Sequence, residues 1–167
     1  MSRFRVLGAL AVVLALVMAP TASHAATGSA TDKRGDAPKA IDITSLKVAN
    51  NQKTIKATVK VKDLGKKGLF TTVWLRPDLT GASYGVTVQK KNGKTKATMA
   101  RITGDKATTV KCAGLKATWN ASKNVVGFTV PQKCNGKNIP ASWIFTTGSF
   151  LGRGADSLDS NLEVKRG

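Results

Sequence analysis

Carboxylates, lysines, hydroxyls and one tyrosine, Tyr84, are the side chains this chain offers for chemistry, and the charged ones are segregated. Asp32, Asp36 and Asp42 fall in one short stretch and Asp156, Asp159 and Glu163 in another, with only Asp63, Asp78 and Asp105 between them. If the two ends of the domain meet, Asp32, Asp36, Asp42, Asp156 and Asp159 bring the hard oxygen donors that a Ca²⁺ ion takes, with backbone carbonyls to complete the shell. Their spacing is not that of an EF-hand loop. The plainer alternative is aspartates in turns that neutralise nearby Lys and Arg. Two carboxylates also suffice for glycoside cleavage, but no spacing here brings a pair into a cleft.

The lysines form two groups. Lys56, Lys60 and Lys62 share a parity, and Lys90, Lys91, Lys94 and Lys96 flank Asn92-Gly93. Clustered cations beside sparse acids attract phosphate or carboxylate polymers. The commoner reading is a solvated face whose lysines guard sheet edges. Single-stranded nucleic-acid readers interleave aromatics for stacking. That pattern is poor here, so any nucleic-acid binding is expected to be non-specific, and Trp74, Trp119 and Trp143 read as core.

The amino terminus removes several other chemistries. Arg3 and Arg5, the apolar run Val6 to Met18, and Ser23-His24-Ala25 have the layout of a secretory signal peptide cleaved after Ala25. The run falls short of the roughly 20 residues that span a bilayer, so a soluble product outside the cytoplasm is expected, with no membrane insertion after cleavage. Cleavage leaves 142 of 167 residues, with 25 basic against 9 acidic side chains, a formal charge of +16. It also takes away His24, the only histidine. Histidine-based triads, histidine general bases and His-ligated zinc or haem are then excluded. Cys112 and Cys134 are the only cysteines, and in an oxidising compartment they are expected to form a disulfide.

The elements that must position these groups read as all-β. Residues 26–39, rich in Ala, Thr, Gly and charge, read as a flexible arm, and a single domain is expected over 40–167. Ile55, Ala57, Val59 and Val61 alternate with Lys56, Thr58 and Lys60, the period of a strand with one buried face. The parity change between Ile41/Ile43 and Leu46/Val48 predicts a bulge near Thr44-Ser45. Leu69 to Leu75 is apolar on both parities, as in an interior strand, and Asn92-Gly93 is a strong hairpin signal. About nine segments can be counted in this way, with no convincing helix, and the expected fold is an antiparallel β-sandwich.

The stretch Asp32-Lys33-Arg34-Gly35-Asp36-Ala37-Pro38-Lys39-Ala40-Ile41-Asp42-Ile43, followed by alternating strands and a late Asp156, resembles small secreted actinobacterial β-sandwich proteins of mostly unassigned function. It is more distantly similar to carbohydrate-binding and DOMON-type modules. The resemblance implies a sandwich in which Asp32, Asp36 and Asp42 match the entry motif. In the sugar-binding relatives, Ca²⁺ and exposed aromatics contribute to binding. The chain is therefore expected to be a secreted, monomeric, non-enzymatic binder of an anionic polymer or glycan at the cell surface. Lys56, Lys60, Lys62, Lys90, Lys91, Lys94 and Lys96 are its expected contacts, and calcium is the one cofactor considered. The competing class is a protein-interaction factor, an inhibitor or antagonist of other cells, acting through Gly104–Lys106 or the loop between the cysteines. A carboxylate hydrolase stands third.

Overall fold

Buried Ile55, Ala57, Val59 and Val61 alternate with exposed Lys56 and Lys60, so this segment lays one edge of its pleat on a core and the other in water. The same logic repeats along the chain in a computed structural model that describes residues 25–33, 35–79, 81–158 and 160–167. Its strands are β1 (Ala26–Thr31), β2 (Ile43–Asn50), β3 (Thr54–Val61), β4 (Gly68–Leu75), β5 (Ser83–Lys91), β6 (Lys94–Thr103), β7 (Lys106–Val110), β8 (Lys116–Asn120), β9 (Val125–Pro131), β10 (Ser142–Leu151), β11 (Gly154–Ser157) and β12 (Leu162–Lys165). A five-stranded antiparallel sheet runs β1-β2-β3-β9-β8, and a seven-stranded one runs β11-β10-β4-β5-β6-β7 with β12 also on β10. The inner faces of the two sheets enclose one core. Among the described residues the only helical pieces are 3-10 turns at Ala121–Lys123 and Gln132–Asn135, and no helix is long and apolar enough to cross a membrane.

The expected sandwich, the disulfide Cys112–Cys134, the bulge between Ile43 and Ser45 and the Asn92-Gly93 hairpin are all present. Asn92 and Gly93 have φ of 49° and 75°, the left-handed pair that a tight hairpin needs to follow the strand twist. The strand count is twelve, not about nine. The additions are β1, β11 and β12, which are edge pieces with few large apolar residues. Residues 26–31, expected to lie in a flexible arm, instead form β1 and pair with β2 from Ala26↔Asn50 to Thr31↔Ser45. The small residues that suggested an arm are small because β12 lies against them. A Cβ on Gly28 would come within 2.9 Å of Val164 Cγ2 and 3.0 Å of Leu162 Cδ1. The expected signal peptide, apart from Ala25, lies outside the described residues.

Trp74 stands at the centre of the core, stacked on Phe128 at 5.8 Å and on Tyr84 at 6.4 Å, with Phe145 at 6.0 Å. Its indole N–H cannot be left unsatisfied in that setting, and it donates to Asn135 Oδ1 at 3.1 Å. Asn135 Nδ2 donates to Gln132 Oε1, Gln132 Nε2 to Asn50 Oδ1, and Asn50 Nδ2 to the Val164 carbonyl. Asn50, Gln132 and Asn135 are all buried. This chain of bonds links β4, the 3-10 turn, β2 and β12.

Gln132→Leu should strand the Asn50 and Asn135 amide groups in the core and cost at least about 2 kcal/mol, since each orphaned buried polar group costs roughly 1–3 kcal/mol. Denaturant unfolding measures it, and a loss within error would contradict a structural role for the relay. Replacing both cysteines by serine should cost about 3 kcal/mol, the chain-entropy value for a loop of this length, measured in the same way.

Candidate functional site

The two acidic ends of the sequence do meet, through three residues. Asp36 lies in the segment ahead of β2, Asp42 directly precedes β2, and Asp156 lies on β11. One carboxylate oxygen from each lies within 4.8 Å of the others. The backbone orients them. The Gly35 N–H donates to Asp42 Oδ2 at 2.9 Å, and the Ile43 N–H donates to Asp156 Oδ2 at 2.6 Å. The segment is itself pinned, with the Ile41 and Asp42 N–H groups on the Pro38 carbonyl, and Ser149 Oγ on the Ile41 carbonyl at 2.6 Å. Asp42 is fully buried, and its Oδ1 has no hydrogen-bond donor among the described residues.

The other predicted ligands stand apart. Asp32, whose Oδ1 accepts the Lys33 N–H, is not part of this trio, and Asp159 lies outside the described residues. Burial raises the pKa of Asp156. The Ile43 and Ser157 N–H groups pull it back down, and the charges of Asp36 and Asp42 push it up again.

The seven predicted lysines do not form one surface. Lys56 and Lys60 point outward from the five-stranded sheet. Lys62, just past the end of β3, instead places Nζ 3.6 Å from Asp42 Oδ2. Lys91 opposes Lys94 and Gln89 opposes Lys96 across the β5–β6 hairpin, which puts Lys91, Lys94 and Lys96 on the outer face of the seven-stranded sheet. Lys90 has the opposite parity and donates to Thr95 Oγ1.

The pairing adds two lysines that the sequence reading did not group with the others. Lys47 opposes Thr58, and Lys116 opposes Thr129, which in turn opposes Lys56. Lys47, Lys56, Lys60 and Lys116 therefore share the outer face of the five-stranded sheet, all exposed. Their neighbours there are Thr27, Ser29, Thr31, Ser45, Ala49, Thr58, Thr118, Asn120, Val125, Gly127 and Thr129, with no carboxylate. A shallow trough of about 300 Å³ crosses this face over Gly127. A Cβ at Gly127 would lie 2.9 Å from the Ala57 carbonyl oxygen, so this position admits only glycine and the trough floor stays bare.

A second depression escaped the sequence reading entirely, because its lining comes from distant segments. A cleft of about 480 Å³ at the other end of the strands from the acidic trio is lined by Arg76, Tyr84, Arg101, Asn135, Lys137 and Trp143. Arg76 is already engaged by Asp78 at 3.2 Å and by the Asn138 carbonyl, while Trp143 Nε1 is buried without an acceptor among the described residues.

No protein-family model, curated protein or solved structure matches this chain.

In chelated buffer the raised pKa of Asp156 has a defined consequence. A carboxyl that holds its proton more tightly folded than unfolded favours the fold fully below the ordinary value of 3.8, and that contribution declines as pH rises through the folded value. The stability of Asp156→Asn relative to the parent should therefore climb with pH over that window, as read from urea unfolding at a series of pH values. A difference independent of pH would contradict the assignment.

Proposed function

We propose that this protein is a secreted, non-enzymatic binder of anionic or carbohydrate polymers at the cell surface, using the outer face of its five-stranded sheet. The observation that carries this reading is the acid-free lysine face made by Lys47, Lys56, Lys60 and Lys116. With strands about 4.8 Å apart and a rise of about 3.3 Å per residue, Lys56 and Lys116 stand roughly 10 Å apart, and Lys56 and Lys60 roughly 13 Å. A small anion touches one such cation, whereas an extended polyanion touches several and releases counterions at each. Thr27, Ser29, Thr58, Thr118 and Thr129 add hydroxyls to the same face, suited to bonding sugar hydroxyls between the charged contacts.

A second reading, a protein-interaction factor, draws on the exposed apolar side chains Leu79 and Phe150, which are 74% and 48% accessible.

Retention on a dextran sulfate column separates these readings. The parent should bind with a steep salt dependence. Changing Lys47, Lys56, Lys60 and Lys116 together to glutamine should lower the eluting salt and reduce the slope of log K against log salt by about 3 to 4, close to one unit per phosphate-like contact. Changing Lys91, Lys94 and Lys96 to glutamine should have the smaller effect. Equal effects of the two sets would reduce the attraction to net charge and sink the assignment of the face. A stoichiometric protein partner retained from culture medium at high salt, and lost when Phe150 becomes serine, would favour the second reading.

A further inference from the structure

We propose that Asp36, Asp42 and Asp156 bind a calcium ion that cross-links the two sheets at the end of the sandwich remote from the disulfide. The inference is independent of polymer binding.

The three carboxylates come from segments far apart in sequence, yet they converge within 4.8 Å. Like charges at that separation repel unless a proton or a cation lies between them. The described groups offer too little compensation. Gly35 supplies one backbone N–H to Asp42, and Ile43 and Ser157 supply one each to Asp156. The one ammonium near Asp42, that of Lys62, stands 3.6 Å away on a side chain that is 39% exposed, whereas the Asp42 side chain is wholly buried. The independent sign of a missing ligand is Asp42 Oδ1, a fully buried carboxylate oxygen with no donor among the described residues. Buried polar groups are almost always satisfied, and a charged acceptor is the costliest to leave bare.

The donor set selects the ion. It is all oxygen, and the only cysteines are tied up with each other, so nothing here suits a soft metal. Calcium–oxygen distances of about 2.3–2.6 Å let two ligands of one ion stand up to about 5.2 Å apart, whereas about 2.1 Å for magnesium restricts them to about 4.2 Å. The trio's oxygens all lie within 4.8 Å of one another, inside the calcium limit. Calcium also accepts irregular shells completed by water, which suits a site where Asp36 is exposed and Asp42 is not.

The placement gives the ion a structural task. Asp42 leads into β2 of the five-stranded sheet, and Asp156 lies on β11, which pairs with β10 of the seven-stranded sheet. One ion would join the two layers, and Asp36 would draw the segment ahead of β2 onto the same point. The Cys112–Cys134 bond and the Trp74–Asn135–Gln132–Asn50 relay already tie the other end.

The test uses the full chain, stripped with a chelator and titrated with calcium chloride or magnesium chloride by calorimetry, with thermal unfolding followed in parallel. One calcium per chain and a raised Tm are expected, with magnesium at least about tenfold weaker. Asp156→Asn and Asp42→Asn should each lose tenfold or more in calcium affinity. Should either fail to fold, Asp36→Asn, at an exposed position, should lose affinity without unfolding. Lys62→Gln should bind calcium more tightly than the parent, because the competing ammonium is gone. Asp105→Asn, in the β6–β7 turn, should behave as the parent. Absence of calcium heat and of a Tm shift at millimolar calcium, a response equal for the two metals, or an Asp36→Asn variant that binds as the parent does would each overturn the proposal.

Discussion

Asn50, Gln132, Asn135 and Trp74 are buried together, and each supplies what its neighbour lacks. Trp74 brings the largest apolar surface of the core into a stack of aromatic rings, but its N–H must be answered where no water reaches. Asn135 answers it, Gln132 answers Asn135, and Asn50 answers Gln132 and passes its own amide to the Val164 carbonyl. The requirement that every buried polar atom find a partner thereby sets the relative position of β4, the turn after β9, β2 and β12. The disulfide holds the same turn through Cys134. One end of the sandwich is closed by neutral hydrogen bonds and a covalent link.

The opposite end is organised by charge. Three of the few acidic residues are gathered at one point by backbone N–H groups and by a segment folded back on the Pro38 carbonyl, while the basic residues are spread over both outer faces. With so large an excess of cations the acids could have been dispersed as ion pairs, yet only two ion pairs occur among the described residues, Lys62–Asp42 and Arg76–Asp78. The lysine faces are therefore left unneutralised, which is the condition for attraction to a polyanion. The same lysines on β3 and β8 discourage association with a second sheet.

Much of the fold was legible locally. The two-residue alternation of Ile55, Ala57, Val59 and Val61, the parity change at Thr44-Ser45 and the Asn92-Gly93 pair each appear in the structure as expected, because each is a short-range consequence of pleat or turn geometry. Four-residue β11 and β12 were not legible, since a strand with one or two apolar residues is defined by its partner on β10 and not by its own pattern. β1 was misread for a related reason. Its Gly28 reports close packing under Leu162 and Val164, and composition alone does not distinguish that from mobility.

The sequence by itself determined the all-β class, the disulfide pairing that two cysteines permit, the excess of positive charge and the poverty of catalytic side chains. These depend on residue type and on spacings of a few residues. Tertiary structure alone decided which charges act together. It brought Asp36, Asp42 and Asp156 to one point, left Asp32 out of that trio, drew Lys62 away from the lysine face, and put Lys47 and Lys116 on that face with Lys56 and Lys60. The physical reason is that a strand's pattern states which side faces water, whereas the neighbours on that side are chosen by long-range pairing. Strands β3 and β9, far apart along the chain, lie side by side only because both must bury an apolar face on the same core.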